Sequence, residues 1–239
     1  MSKRDQQRQK KEAMQQAAAQ REQSKKLFGK VALFGIVPVL AILVLYTLFT
    51  QGPTYSTVEI AENDHVRGRE SNPVTIVVYA DFQCPACATE NETMTRLWPS
   101  IRDKAHLIFR HFPITAAHPH TWTASLYAEA AGNQGKFWEM HDYLFATQSI
   151  WASLPSFAAE QEFESYALEL SLDIDQMKVD MESDELIRKV RNDQRSGNSS
   201  GVLSTPALFI NGKLLARPSR DRIVEAVEEA YSDSTDSVS

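Results

Sequence analysis

The stretch "VTIVVYADFQCPACATENETMTRLW", residues 74–98, changes its periodicity in the middle. Its first half belongs to the run "PVTIVVYADF" (73–82), nearly continuous in β-branched and aromatic residues through Val74, Ile76, Val77, Val78 and Tyr79. Such a run suits a strand covered on both faces, as at the centre of a sheet. After Cys84 the apolar residues Met94, Leu97, Trp98 and Ile101 fall at helical spacing. The helix is expected to reach residues 98–102, where Pro99 ends or bends it. Pro85 suits a first helical position, because its missing N–H costs nothing there. A strand therefore runs directly into a helix, and the two cysteines of the chain, Cys84 and Cys87, sit at the junction.

Three chemistries compete for this pair. A structural staple would close a loop of two intervening residues, with little entropy to gain. A tetrahedral metal site needs two more ligands, and there is no second C-x-x-C pair. The six histidines (65, 106, 111, 118, 120 and 141) show no ligand spacing with the cysteines. A dithiol/disulfide redox couple fits best. Cys84 would lie at a helix N-terminus, where orphan N–H groups and the positive end of the dipole stabilise a thiolate. Cys87 stands seven residues before Met94, about −20° on a helical wheel, and so shares the buried face. The expectation is an exposed, nucleophilic Cys84 and a shielded Cys87 that resolves the mixed disulfide. Asp81 and Glu90 bracket the motif. A carboxylate near Cys87 would serve as its proton acceptor, but the sequence places neither.

Downstream, "HLIFRHFPI" (106–114) reads as a second strand. Residues from about 117 to 198 read as helices with short breaks, with Asp173 and Asp175 as candidate caps. So much helix exceeds a simple crossover and is expected to form a lobe of its own. "TPALFINGKLL" (205–215) carries the Asn211-Gly212 hairpin signal. Ile223, Val224, Val227 and Tyr231 predict a closing helix over about 219–231, and residues 232–239 read as a disordered polar tail. The order of strand, helix, strand, helical block, hairpin and helix builds an α/β sheet with helices on both faces. His118 and His120 read as loop or cap residues. Phe137, Trp138 and Tyr143 read as core rather than a peptide groove. Glu160, Glu162, Glu164 and Glu169 read as a solvated face.

The N-terminal part is of another kind. Residues 1–30 hold nine Lys/Arg and three Asp/Glu, a net of +6. The whole chain carries −6, so residues 31–239 carry −12. An acidic body without a nucleic-acid motif argues against a nucleic-acid partner. Between head and body, "VALFGIVPVLAILVLYTLFT" (31–50) has no charge. Twenty residues at helical rise give about 30 Å, the thickness of a bilayer's hydrocarbon core. The run exceeds a signal peptide's apolar core and is followed by no clear small-x-small site, so an uncleaved anchor is expected over a cleaved signal or a buried helix. Lys25, Lys26 and Lys30 just before it keep the N-terminus in the cytoplasm. The rest is then held outside, on the periplasmic or extracytoplasmic side of the inner (cell) membrane. Residues 51–72 read as a linker.

"VTIVVYADFQCPAC", with "GVLSTPALFINGK" far downstream, "DHVRG" before it and "GKFWEMHDYLFATQ" between, resembles the DsbA-like branch of the thioredoxin superfamily over about residues 63–231. The resemblance implies a thioredoxin fold over 73–231 with an inserted helical domain at about 117–198. It implies that Thr205-Pro206 faces the active site with Pro206 in cis, leaving the backbone of Thr205 free to pair with an extended peptide. The strongly oxidising members have histidine where this chain has Ala86. Pro85 and Ala86 are therefore the redox-tuning positions, and Ala86 is expected to leave Cys84 less acidic than histidine would. Taken together, the sequence points to a membrane-anchored protein thiol–disulfide oxidoreductase that needs neither metal nor organic cofactor. Its expected partners are unfolded or cysteine-containing exported proteins and a membrane redox partner. Oxidation, reduction and isomerisation use the same atoms. Linker 51–72 is too short for an added dimerisation domain, which favours oxidase over isomerase. A tethered reductase is the alternative, and a non-catalytic peptide-binding or chaperone module is the alternative of another class.

Overall fold

In the computed structural model, residues 56–236 are described, together with positions 14, 35, 37–40 and 42–43. Most of the expected span 31–50 lies outside the described residues. Among these, no helix is long and apolar enough to cross a membrane. The chain divides into two units, Met1–Gly52 and Pro53–Ser239. In the first, Val37, Val39, Leu40, Ile42 and Leu43 each leave more than half of their surface exposed.

The second unit is built on a five-stranded sheet: β1 (His65–Arg67), β2 (Val74–Ala80), β3 (Ala105–His111), β4 (Ala207–Ile210) and β5 (Lys213–Leu214). The order is β1-β3-β2-β4-β5. β2 and β3 run parallel, and the remaining pairs are antiparallel. All seven residues of β2 are buried, as the β-branched run predicts for a central strand. Alternation divides its two faces. Val74, Ile76, Val78 and Ala80 enter the larger core, whereas Val77 and Tyr79 enter a smaller one with Ile108, Phe112 and Phe209.

Helix α1 (Pro85–Ile101) buries Cys87, Glu90, Met94, Leu97 and Ile101 on one stripe. Each of its large apolar residues contributes about 1.5–3 kcal/mol of transfer free energy as an upper bound. Pro99 lies within the last turn and does not end the helix early. The connection between β3 and β4 carries α2 (Thr121–Asn133), α3 (Phe137–Ala146), α4 (Gln148–Trp151), α5 (Ser156–Glu169), α6 (Ile174–Met181) and α7 (Asp184–Ser199). Asp173 caps α6 by accepting from the Gln176 N–H, and Ser183, which the sequence reading passed over, caps α7. Asp175 lies in the first turn of α6 and is not its cap. Phe137 is buried, while Trp138 and Tyr143 pack against the core while partly exposed. The helical insertion is not a separate lobe. Its Leu126, Met140, Leu144, Trp151 and Phe163 join the same hydrophobic cluster as the sheet and α1, because one continuous core buries more apolar surface than two small ones.

Three further expectations are corrected. The second strand ends at His111 rather than 114, although Phe112 N–H still reaches the Ala80 carbonyl at 2.8 Å; Pro113 has no N–H to continue the ladder. The region read as linker 51–72 contains β1. There His65 stacks on Phe137 at 3.6 Å and Arg67 pairs with Asp142 at 2.7 Å. Finally, α8 (Arg220–Asp236) runs through residues 232–236, which were expected to be a disordered tail. The Ser234 hydroxyl donates to the Tyr231 carbonyl and the Thr235 hydroxyl to that of Ser232, so these polar side chains back-bond within the helix.

Candidate active site

Cys84 is the extended N-cap residue of α1 (φ −74, ψ 121), with Pro85 behind it in the first helical turn. Its carbonyl accepts from the N–H groups of Cys87 at 3.0 Å and Ala88 at 3.2 Å. The helical insertion clamps this corner. Gln148 Nε2 donates to the carbonyls of Phe82 at 2.6 Å and Cys84 at 3.0 Å. Gln83 donates to the Ala152 carbonyl at 2.7 Å and accepts from the His120 N–H at 2.6 Å. Neither glutamine was singled out from the sequence, since nothing in a lone Gln signals a distant backbone partner.

The two thiols are free. Cys87 is 1 % exposed, as its place on the apolar stripe requires, but Cys84 is only 9 % exposed. The expected open nucleophile is therefore largely covered. The Thr205 carbonyl lies against it, 3.8 Å from Cys84 Sγ.

The sulfurs differ more in acidity than in exposure. The Cys84 pKa is lowered to about 5. The main cause is the hydrogen bond from the Cys87 thiol, which outweighs the opposing effect of burial; the N–H groups of Cys87 and Ala86 and the side chain of Thr205 add to it. Burial and the neighbouring Cys84 drive the Cys87 thiol far upward. The helix N-terminus contributes through its N–H groups, as expected, but the largest effect comes from the second cysteine. Ala86 acts through its backbone alone; its side chain is exposed on a groove shared with Pro206, Arg217 and Pro218.

The Thr205–Pro206 bond is cis, as the family resemblance implies. The Thr205 hydroxyl is buried without a hydrogen-bond partner, so it is available to a thiolate on Cys84. Behind the loop, Asn211 and Gly212 both take positive φ (47 and 77), the signature of a type I′ hairpin turn. Asn211 also accepts from the Thr75 N–H at 2.8 Å, which locks β4 to the central strand.

Asp81 and Glu90 both lie close to Cys87, in contrasting states. The Asp81 N–H points at Cys87 Sγ at 3.5 Å. Its carboxylate accepts from the N–H groups of Gln83 and Ile114, both at 2.8 Å, and meets His118 Nδ1 at 2.8 Å. His118 lies in a loop, as the sequence reading expects, and its side chain ties that loop to the junction. Glu90 is buried, and its Oε1 has no hydrogen-bond partner. Burial raises its pKa to about 7.

Among the described residues, one cluster has metal-ligand geometry: His111, Glu129 and Asp193, all buried. Lys189 Nζ lies 2.6 Å from Asp193 and 4.0 Å from Glu129, so an ammonium already supplies the cation there. Cys84 and Cys87 are not part of this cluster.

The comparisons with known proteins agree with this geometry. A family model described as Thioredoxin matches residues 60–229. The Na(+)/H(+) antiporter NhaA 1 of Mycolicibacterium gilvum is 35% identical over 156 residues, 64% of this chain and 24% of that protein. The chain thus spans about a quarter of the length of the curated relatives it matches, and antiport is the named activity of those longer proteins. Among solved structures, the α-DsbA1 of Wolbachia pipientis has a TM-score of 0.65 at 18% identity, covering 75% of this chain and 96% of that one. The oxidised BdbD of Bacillus subtilis has 0.64 at 19%, covering 76% and 100%. With a C-P-x-C dithiol at a strand-to-helix junction, a cis-proline loop against its first sulfur and a family match over most of its length, the chain belongs to the thioredoxin family.

Proposed function

We propose that this protein oxidises thiols in exported proteins, working as a membrane-tethered dithiol/disulfide exchanger on the extracytoplasmic side. The observation that carries this reading is the acidity of Cys84, lowered to about 5 beside a shielded partner thiol. A thiolate stabilised in the dithiol form makes the corresponding disulfide oxidising. It also makes Cys84 a good leaving group.

The steps follow from the site. A partner thiolate attacks Cys84 Sγ of the disulfide form, the Cys84–Cys87 bond breaks, and Cys87 leaves and takes up a proton. The partner's second thiolate then attacks the partner sulfur of the mixed disulfide. The partner gains a disulfide, and Cys84 leaves as the stabilised thiolate. Two electrons pass from partner to protein, and a membrane redox partner removes them. Thr205, next to Cys84 Sγ, offers backbone to an extended chain, so an unfolded segment binds as an added strand with little sequence preference. Pro85 opens the helix behind the sulfur, and Ala86 leaves the approach to it free of a side-chain donor.

The tether is supported by the uncharged run 31–50, its basic flank and the exposed apolar Val37, Val39, Leu40, Ile42 and Leu43. The N-terminus then lies in the cytoplasm.

Thiol trapping in cells tests the direction. The oxidase reading expects the Cys84–Cys87 pair mostly oxidised, and a mostly reduced pair would favour the tethered reductase. Carbonate washing of membranes tests the tether. Retention is expected, and release into the wash would remove that part of the reading.

A further inference from the structure

Glu90 is a buried ionisable group beside Cys87 that the exchange steps leave unused. It follows Cys87 by three residues on α1, so the two side chains are neighbours on one helix face. Both line a small internal cavity of about 10 Å³ between α1, β2, β3 and α3, at the lower limit for one water. The other walls of that cavity are Val78, Ala80, Leu107, Phe109, Met94 and Phe145, together with Asn91 and His141.

Glu90 also lines a second space. This is an open groove of about 380 Å³ beside the active site, bordered by Ala86, Thr89, Thr93, Pro206, Arg217 and Pro218. Glu90 therefore borders both the space beside the resolving thiol and the open groove. The buried Oε1 has no partner, and an unsatisfied buried carboxyl oxygen calls for an explanation.

We propose that Glu90 is the proton carrier of Cys87. When the Cys84 mixed disulfide is resolved, the Glu90 carboxylate takes the Cys87 proton, directly or through one water. The Cys87 thiolate attacks Cys84 Sγ, the bond from Cys84 to the other sulfur breaks, and that sulfur leaves as a thiolate. Protonated Glu90 then loses its proton to solvent through the groove. In the oxidising direction the order reverses, and Glu90 protonates Cys87 as it leaves. The assignment rests on the exchange reading of the site.

The surroundings suit such a group. Burial in mostly apolar walls raises its pKa to about 7, so both protonation states are populated near neutrality, the condition for efficient general acid–base work. The ionisable groups facing it are Cys87 on its own helix, His141 across the cavity and Arg217 across the groove. His141 is held neutral near neutral pH, because burial lowers its pKa to about 4. Asp81 is a poorer acceptor, since two backbone N–H groups and His118 already occupy its oxygens.

Rapid mixing of the dithiol protein with oxidised glutathione separates the two half-steps. The Cys87→Ser variant traps the mixed disulfide and gives the rate of attack by Cys84. In otherwise native protein, release of the second glutathione gives the rate of resolution. The expected result for Glu90→Gln is an unchanged first step and a resolution step slowed by about 10²-fold above pH 7. The inflection near pH 7 should also vanish. A mixed disulfide that Glu90→Gln resolves at the native rate, with the native inflection, would overturn this assignment while leaving the exchange reading intact. No mixed disulfide in Cys87→Ser would overturn both. Carboxyl NMR titration of the unsubstituted protein gives an answer that needs no folded variant. Glu90 should titrate near pH 7 in the dithiol form, and an ordinary carboxylate titration there would refute the assignment.

Discussion

Two buried polar regions lie on this sheet, and they are built in opposite ways. Under β1 and β3, each charged head group has an opposite partner. Arg110 and Asp64 are both fully buried and paired at 2.7 Å, with a second contact at 3.1 Å. Arg110 also donates to the carbonyls of Ser56 and Glu59, both at 2.8 Å. Lys189 holds Asp193, and Glu129 accepts from His65 and His111. Burial works against the Glu129 charge, but Lys189, His65 and His111 overcome it and hold its pKa well below the usual range. His111 Nδ1 and Asp193 Oδ1 lack a hydrogen bond there, yet the charges themselves are paired. At the cysteine junction, by contrast, no opposite charge offsets the burial of the Glu90 carboxyl, and the Thr205 hydroxyl also lacks a hydrogen bond. Paired buried charges hold their surroundings together, whereas an uncompensated buried carboxyl favours its protonated form. The first region fixes β1 and α7 to the sheet. The second holds the dithiol.

Substitutions can break this comparison. The largest effect should come from Cys84→Ser, which is expected to abolish disulfide exchange with a reduced, unfolded substrate while the fold persists. Retained exchange in that variant would remove Cys84 as the nucleophile, whereas a peptide-binding module would bind the unfolded substrate equally well with either residue and exchange no disulfide in the native protein. Next is Asp64→Ala, which strands the Arg110 guanidinium. Urea unfolding should show a loss of about 3–5 kcal/mol. The paired replacement of Asp64→Leu with Arg110→Met should cost much less. Neither change should move the Cys84 pKa, and a shift there would show that the two regions are coupled.

A pH effect of intermediate size sharpens the contrast. The Cys84 pKa is about 5 in the folded dithiol form against 9.0 for an ordinary thiol. Between these values the unfolded chain binds the extra proton, so this group's contribution to stability rises with pH from about 5 to 9 and is lost as pH falls. The disulfide form has no such group. The Tm difference between the two forms should therefore shift toward the dithiol over that window, and a constant difference would contradict the low pKa. Glu90 has the opposite sign. Its pKa is raised from 4.5 to about 7, so its ionisation removes stability as pH rises across that range. Glu90→Gln should therefore unfold at a higher temperature than the native protein above pH 7. The smallest effect is expected for Ala86→His: thiolate absorbance should show Cys84 titrating below its native value.

Much of the fold was legible because local patterns carried it. The β-branched run of β2, the helical spacing after Cys84, and the Asn211-Gly212 turn each depend on a few neighbouring residues. β1 was not legible, since three mixed residues with little apolar signal become a strand only when β3 offers its edge. The end of α8 was missed because a Ser/Asp-rich segment reads as a tail until its hydroxyls are seen bonding back to the helix.

The sequence by itself determined the chemistry at the junction. Two cysteines with two residues between them, after a central strand and before a helix, leave one exposed-end sulfur and one buried one. Tertiary structure decided the degree. The fold brings Thr205 against Cys84 and leaves that sulfur nearly covered, and it buries Cys87 so deeply that its thiol stays protonated and donates to its neighbour. It also seals Glu90 between a tiny cavity and an open groove. No local pattern encodes these facts, because each depends on what residues far apart in the chain withhold from water.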